Sequence, residues 1–185
     1  MLLKVYELLL KRKIKTVPRH VVIIDSGDIT EDALIKFVKW CKEFGVEEIS
    51  VCVEKDIRIN ANGFRVRYVK DGNVEEFGNG DVIVNIVYDN GKEEIVNALR
   101  KLAEFVVRGE INPEDVDEEV IERFLSIKSQ PDLIIKAGNE IPRFLIWQSI
   151  YSELYFADID WKSFRYVDFL RILREYQRRE RRYGR

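Results

Sequence analysis

The 185-residue chain has only two cysteines and one histidine, and no long apolar run. Cys41 and Cys52 fall on an apolar helix face and in a strand pattern, so buried free thiols are expected rather than a disulfide or a metal site. The lone His20 has no His or Cys companion at metal spacing and reads as the first residue of a strand. No stretch reaches bilayer-spanning length and no signal-peptide pattern is present, which makes a cytoplasmic protein the expectation. Bulk charge is missing as well. Lys and Arg number 31 against 33 Asp and Glu, so the balance gives no reason to expect a nucleic-acid partner. What is there suits a folded chain, with 46% hydrophobic and 35% charged residues. The length fits one domain, 1–185, with a sizeable core.

The charge is unevenly placed. Residues 110–122 carry seven carboxylates and no base, whereas residues 171–185 carry seven arginines against two glutamates. A local anionic ligand or partner near the C-terminus is the natural reading of the second cluster. The first cluster reads mostly as helix capping and solvated surface, because Asn112-Pro113-Glu114-Asp115 has the form of a helix start.

In chain order, residues 1–17 give an amphipathic N-terminal helix with Leu2, Val5, Tyr6 and Leu9 on one side and Lys11, Arg12, Lys13 and Lys15 at its end. It is expected to pack on the domain or on a subunit, with a peripheral membrane contact as the alternative. Pro18 ends it, and His20 to Ile24 follow as a buried strand. Asp25-Ser26-Gly27-Asp28 turns into a helix, with Asp28 as the expected N-cap and Glu31 completing a capping box. Gly45 stops that helix, and Ile49 to Val53 form the next strand, so a parallel βαβ unit is predicted. Residues 65–69 alternate as a half-exposed strand of open direction, and Val82 to Val87 read as a central strand. A helical face runs from Ile95 to Val107, and Pro131 introduces the strand Leu133-Ile134-Ile135.

From Pro131 the residues fall into an ordered series: Pro131 to Lys136, Phe144 to Gln148, Tyr151 to Asp158, Trp161, and Asp168-Phe169-Leu170 through Gly184. This series resembles the cis-prenyltransferases, the undecaprenyl and dehydrodolichyl diphosphate synthase family. Fainter matches lie at Pro18 to Ile24, Phe37 to Val46 and Val84 to Ala103. The resemblance implies an α/β fold with a largely parallel central sheet of about five to six strands flanked by helices. It also implies a dimer that joins isopentenyl diphosphate to an allylic diphosphate with Mg²⁺, making cis-polyprenyl diphosphates. Two diphosphates must then be neutralised by arginines and a metal.

Position by position, the resemblance is uneven. The family's diphosphate- and metal-binding Asp aligns with Ser26, while Asp25 stands one residue early and Asp28 two residues late. The Arg after that turn is absent, and Ile29, Thr30 and Glu31 occupy the place. The Phe-Ser-x-Glu-Asn-Trp motif and the long helices walling the product tunnel have no counterpart between Val53 and Val84. Their loss removes burial worth ~0.8 kcal/mol per methylene of a growing tail. In the isopentenyl diphosphate loop, Lys136 replaces an Arg, and Arg143 is a candidate for the second Arg. Glu153 matches the family's metal-associated Glu. Arg182-Tyr183-Gly184, at the end of the Arg-rich helix and tail of 169–185, matches the Arg-x-Gly motif that reaches into the other subunit's diphosphate site.

These departures lead to the expectation of a non-catalytic subunit similar to the Nogo-B-receptor-like subunits. It would supply Arg182 and Gly184 to a catalytic homologue in a heterodimer or heterotetramer, with Mg²⁺ held mainly by that partner. The alternatives are a homodimeric enzyme using Asp25 or Asp28, and a scaffold that keeps only the dimer surface.

Overall fold

The computed structural model describes residues 2–25, 27–137, 143–157 and 159–179. Four strands are almost wholly apolar and buried: β1 (His20–Ile24), β2 (Glu48–Cys52), β5 (Ile83–Val87) and β6 (Leu133–Ala137). Near-continuous apolar strands of this kind need cover on both faces, which parallel crossovers provide. They form the centre of a seven-stranded sheet in the order β4-β3-β5-β2-β1-β6-β7, completed by β3 (Arg65–Lys70), β4 (Asn73–Phe77) and β7 (Glu153–Ala157). All neighbours pair parallel except β3 and β4, an antiparallel hairpin. The strand of open direction, β3, is therefore parallel to β5.

Alternate residues of each strand feed two cores. On one face Val21, Ile23, Ile49, Val51, Val84, Ile86, Leu133 and Ile135 pack beneath α2 (Glu31–Glu43) and α5 (Tyr166–Arg178). Phe37 joins the two helices there, with ring contacts at 5.3 Å to Phe169 and 5.9 Å to Trp161. Ile57, Ile59 and Phe64, from the connector after β2, complete this core. On the other face Val22, Ile24, Cys52, Val69, Val87 and Ile134 meet Ile127, Phe144 and Leu145.

Helix starts differ from the predicted ones. Thr30, not Asp28, caps α2, its hydroxyl accepting the Ala33 N–H at 3.3 Å. The reason is Ile29, buried to 1% exposure, which spends two further residues on the turn before the helix can begin. Helix α3 starts at Gly91 under an Asn90–Glu93 capping box and runs to Val107. Pro113–Asp115 makes only a 3₁₀ turn, and α4 (Glu118–Phe124) begins under Asp117.

Helix α1 (Leu2–Lys13) docks on α5 through Leu10, which packs against Val167 and Leu170. An ion pair of Lys11 with Glu43 and a Gln177 side chain bonded to the Lys13 and Thr16 backbone hold its C-terminal end. Its other apolar residues, Leu2, Leu3, Val5, Tyr6, Leu8 and Leu9, are exposed. Among the described residues no helix is long and apolar enough to cross a membrane.

Candidate active site

Parallel sheets bind ligands beyond the carboxyl ends of their strands. At that edge β1 runs out into the turn 25–30. Asp25 is buried, its N–H continues the sheet ladder to the Cys52 carbonyl at 3.0 Å, and its carboxylate folds back over the turn. One oxygen accepts the Gly27 N–H at 3.0 Å and the other the Ile29 N–H at 3.1 Å. Gly27, at φ +102°, allows that reversal. Asp28 is exposed beside it. The structure thus keeps two carboxylates at this edge, one holding the turn and one facing solvent. Ser26 lies outside the described residues.

Lys136, half-buried near the end of β6, is in register with Ile24 of β1. It stands one strand away from the turn on the β6 side. Lys55, beyond the end of β2, reaches the turn from the other side, its ammonium donating to the Gly27 carbonyl. Arg143 is exposed, and its carbonyl accepts the Gly91 N–H at 2.6 Å at the start of α3. A Cβ at Gly91 would lie 2.6 Å from Ile146 Cγ1, so the residue is small because this segment sits directly on the helix end. Residues 138–142 lie outside the described residues, as do Arg182 and Gly184.

Glu153 is elsewhere. It opens β7 in register with Leu133, at the amino end of the strands, and its carboxylate pairs with Arg179 at 3.5 Å. Four strand residues separate the level of Glu153 from that of Ala157, about 13 Å at the usual rise. The chain's own fold therefore does not bring Glu153 to Asp25. Among the described residues no group of three His, Cys, Asp or Glu side chains could hold a metal ion. Mg²⁺, however, commonly takes only one or two carboxylates and fills its shell with phosphate and water, so Asp28 beside Asp25 fits a shared substrate–metal site.

Buried polar groups flank this edge. Asp89 accepts the Asp71 and Gly72 N–H groups at 2.6 and 2.7 Å and ties the β3–β4 turn down. Glu94 accepts the Gln148 amide at 3.1 Å, and burial pushes its carboxyl up from the usual range. Burial likewise raises the thiols of Cys41 and Cys52, which are inert core residues rather than nucleophiles. Sequence reasoning missed Lys55, a lone lysine in a connector without pattern. It also missed the Glu94–Gln148 pair, although both residues lie in stretches that matched the family series.

The chain compares closely with known proteins. Residues 66–184 match the family profile described as "Putative undecaprenyl diphosphate synthase". A tritrans,polycis-undecaprenyl-diphosphate synthase (geranylgeranyl-diphosphate specific) of Methanocaldococcus jannaschii is 54% identical over 109 residues, covering 56% of this chain and 39% of that protein. The enzyme of the same name from Thermococcus kodakarensis is 30% identical over 247 aligned positions, covering 97% of this chain and 92% of its own length. That alignment is longer than the 185-residue chain, so the relative carries stretches this chain lacks. Two solved structures share the fold: lavandulyl diphosphate synthase of Lavandula x intermedia (TM-score 0.74, 20% identity, 91% of this chain and 99% of that one). The other is a probable undecaprenyl diphosphate synthase of Campylobacter jejuni (TM-score 0.73, 19% identity, 92% of this chain and 100% of that one).

These findings overturn the expectation of a non-catalytic accessory subunit. Relatives up to 54% identical are named as synthases, and none of those cited is named as an accessory chain. The physical reason lies in the turn. Ungapped alignment puts Ser26 at the metal position and leaves Asp25 and Asp28 only as alternatives, whereas the fold holds both carboxylates at the carboxyl edge of β1. With a family profile matched over most of its length and a 30%-identical relative covered almost end to end, the chain belongs to the undecaprenyl diphosphate synthase family of cis-prenyltransferases.

Proposed function

We propose that this chain is an active, homodimeric cis-prenyltransferase, joining isopentenyl diphosphate to an allylic diphosphate, geranylgeranyl diphosphate being the primer suggested by the relatives' names. The observation that carries the reading is the β1 turn, where an exposed Asp28 and a buried Asp25 lie together with Lys55, from the connector after β2, at the Gly27 carbonyl, and with Lys136 in register with Ile24 at the end of β6. In the reaction a carbon–carbon bond forms at C1 of the allylic substrate. The C1–oxygen bond breaks with its electrons leaving on pyrophosphate, and isopentenyl C2 gives up a proton. Mg²⁺ bound at Asp28 would neutralise charge on the departing diphosphate. Asp25 keeps the turn in shape, and Lys136 sits within reach of a second diphosphate at the β6 end. Arg182 and the Gly184 N–H are assigned to the diphosphate site of the second copy, and Glu153 to a role at or near the contact between copies.

A second observation extends the reading to a membrane surface. Six exposed apolar residues on α1 lie beside Lys4 and the Lys11-Arg12-Lys13 end, a combination suited to an anionic bilayer that would also receive a polyprenyl product.

Purified protein, without any second polypeptide, tests the main reading. Incubation with isopentenyl and geranylgeranyl diphosphates and Mg²⁺ should give elongated prenyl diphosphates, and Asp28→Asn should lower turnover ~100-fold, as for loss of a charge-stabilising group. No product from the purified chain would sink the proposal.

A further inference from the structure

We infer that Lys55 is a diphosphate-binding residue of this chain, taking the place of the arginine that is missing after the β1 turn; the inference rests on the reading of that turn as a diphosphate site. Two of the turn's own donors are already spent, because the Gly27 and Ile29 N–H groups both go to Asp25. A phosphate at this turn must therefore find its positive charge in side chains. The positions after Gly27 supply none: Asp28 is acidic, Ile29 is buried in the core, and Thr30 caps α2. Among the described residues Lys55 brings its ammonium to the turn, at the Gly27 carbonyl.

The ammonium has three donors, and the carbonyl takes one. Space lies open beside the contact, since a Cβ built on Gly27 would meet nothing within 4 Å. The segment that carries Lys55 is held from below. The Tyr88 hydroxyl lies 3.0 Å from Asp56 Oδ1 and accepts the Ile57 N–H at 3.2 Å, and the Tyr68 hydroxyl accepts the Ile59 N–H at 2.9 Å. Asp56 is further engaged by Arg58 at 3.7 Å. Ile57 and Ile59 are sunk into the core. The connector is thus fixed on both sides of the loop base while Lys55 itself remains exposed. Lys55 thus comes to the turn from the connector beyond β2, and Lys136, in register with Ile24, stands on the β6 side of β1.

The test separates binding from turnover. Magnesium pyrophosphate is titrated calorimetrically into the wild-type protein, Lys55→Met and Lys55→Arg, and the same three proteins are assayed for prenyl transfer and for thermal unfolding. Loss of one charge-assisted contact should weaken pyrophosphate binding ~10- to 100-fold in Lys55→Met, raise KM for the allylic substrate more than it lowers kcat, and be largely restored in Lys55→Arg. Unchanged pyrophosphate binding in Lys55→Met overturns the inference, and does so equally if that variant only melts at a lower temperature, which would make Lys55 a latch between two loops. A wild-type protein that binds pyrophosphate through Lys55 but makes no prenyl product would leave the inference standing while the proposed activity fails.

Discussion

Asp25 gives both carboxylate oxygens to its own turn, so its removal strands the Gly27 and Ile29 N–H groups at a buried strand end. A buried donor left unpaired costs about 1–3 kcal/mol. Asp25→Ala should therefore lose about that much in urea denaturation, and a change under ~0.5 kcal/mol would mean the turn is held otherwise. His20 makes a pH prediction of a different kind. Its ring lies buried between the Ser50 and Ser129 hydroxyls at 2.8 and 3.0 Å, and burial holds its pKa below the usual value, with the charges of Glu48 and Asp132 partly opposing. The unfolded chain then takes up the proton first. Stability contributed by the neutral ring is complete above the unfolded pKa of ~6.5 and falls as pH drops below it, toward the lower folded value. Denaturation at successive pH values between 8 and 5 should show this slope, and His20→Asn should flatten it. The sequence placed His20 at a strand start but could not show the serines, which come from β2 and from the segment before β6.

Leu10 is the buried apolar anchor of helix α1. Leu10→Ala should cost about 2–5 kcal/mol if the docked helix is part of the cooperative fold. Replacing Leu2 and Leu9 by Ser should leave stability within ~0.5 kcal/mol, because both are half or more exposed. The same double variant should sediment less with vesicles of mixed anionic phospholipid, and equal sedimentation would argue against a bilayer contact. Helix α2 was legible because its apolar residues repeat at helical spacing, and β1, β2 and β5 because short apolar runs between turn residues mark buried strands. Strand β4 was not, since Asn73-Val74-Glu75-Glu76-Phe77 is exposed throughout and owes its form to pairing with β3. Thr30 escaped notice as a cap because the capping pattern begun by Asp28 was locally better. The burial of Ile29, a tertiary fact, decided between them. Of the candidate residues at the carboxyl edge, Asp25 and Asp28 lie beside a family position and Lys136 lies on one, whereas Lys55 gains meaning only from the fold that returns it to Gly27.

The connector after β2 and the β3–β4 hairpin put Ile57, Ile59, Phe64 and Tyr68 into the core, and the aligned Thermococcus kodakarensis relative carries chain that this protein lacks. A filled face leaves less room for a growing tail, at ~0.8 kcal/mol for each methylene denied burial. The chain's product is therefore expected to contain fewer isoprene units than that of the undecaprenyl-forming relatives, which chromatography of the dephosphorylated products would measure. A product of equal length would require another path for the tail. The two ends of the sheet also differ. Strand β7 presents Leu154 and Phe156, each more than a third exposed, beside a groove of about 480 Å³ lined with Phe164 and Ile172. Strand β4 presents Glu75 and Glu76, the latter already engaged by Arg65 and Arg67. In the dimer proposed above, copies that meet through β7 would bury its apolar rim and turn outward the two β4 rims, where Val74 and Phe77 are also exposed. If the proposed pair meets through β7, the contact is two-fold and uses up that rim in both chains, so the pair is closed and leaves no β7 rim from which a fibre could extend.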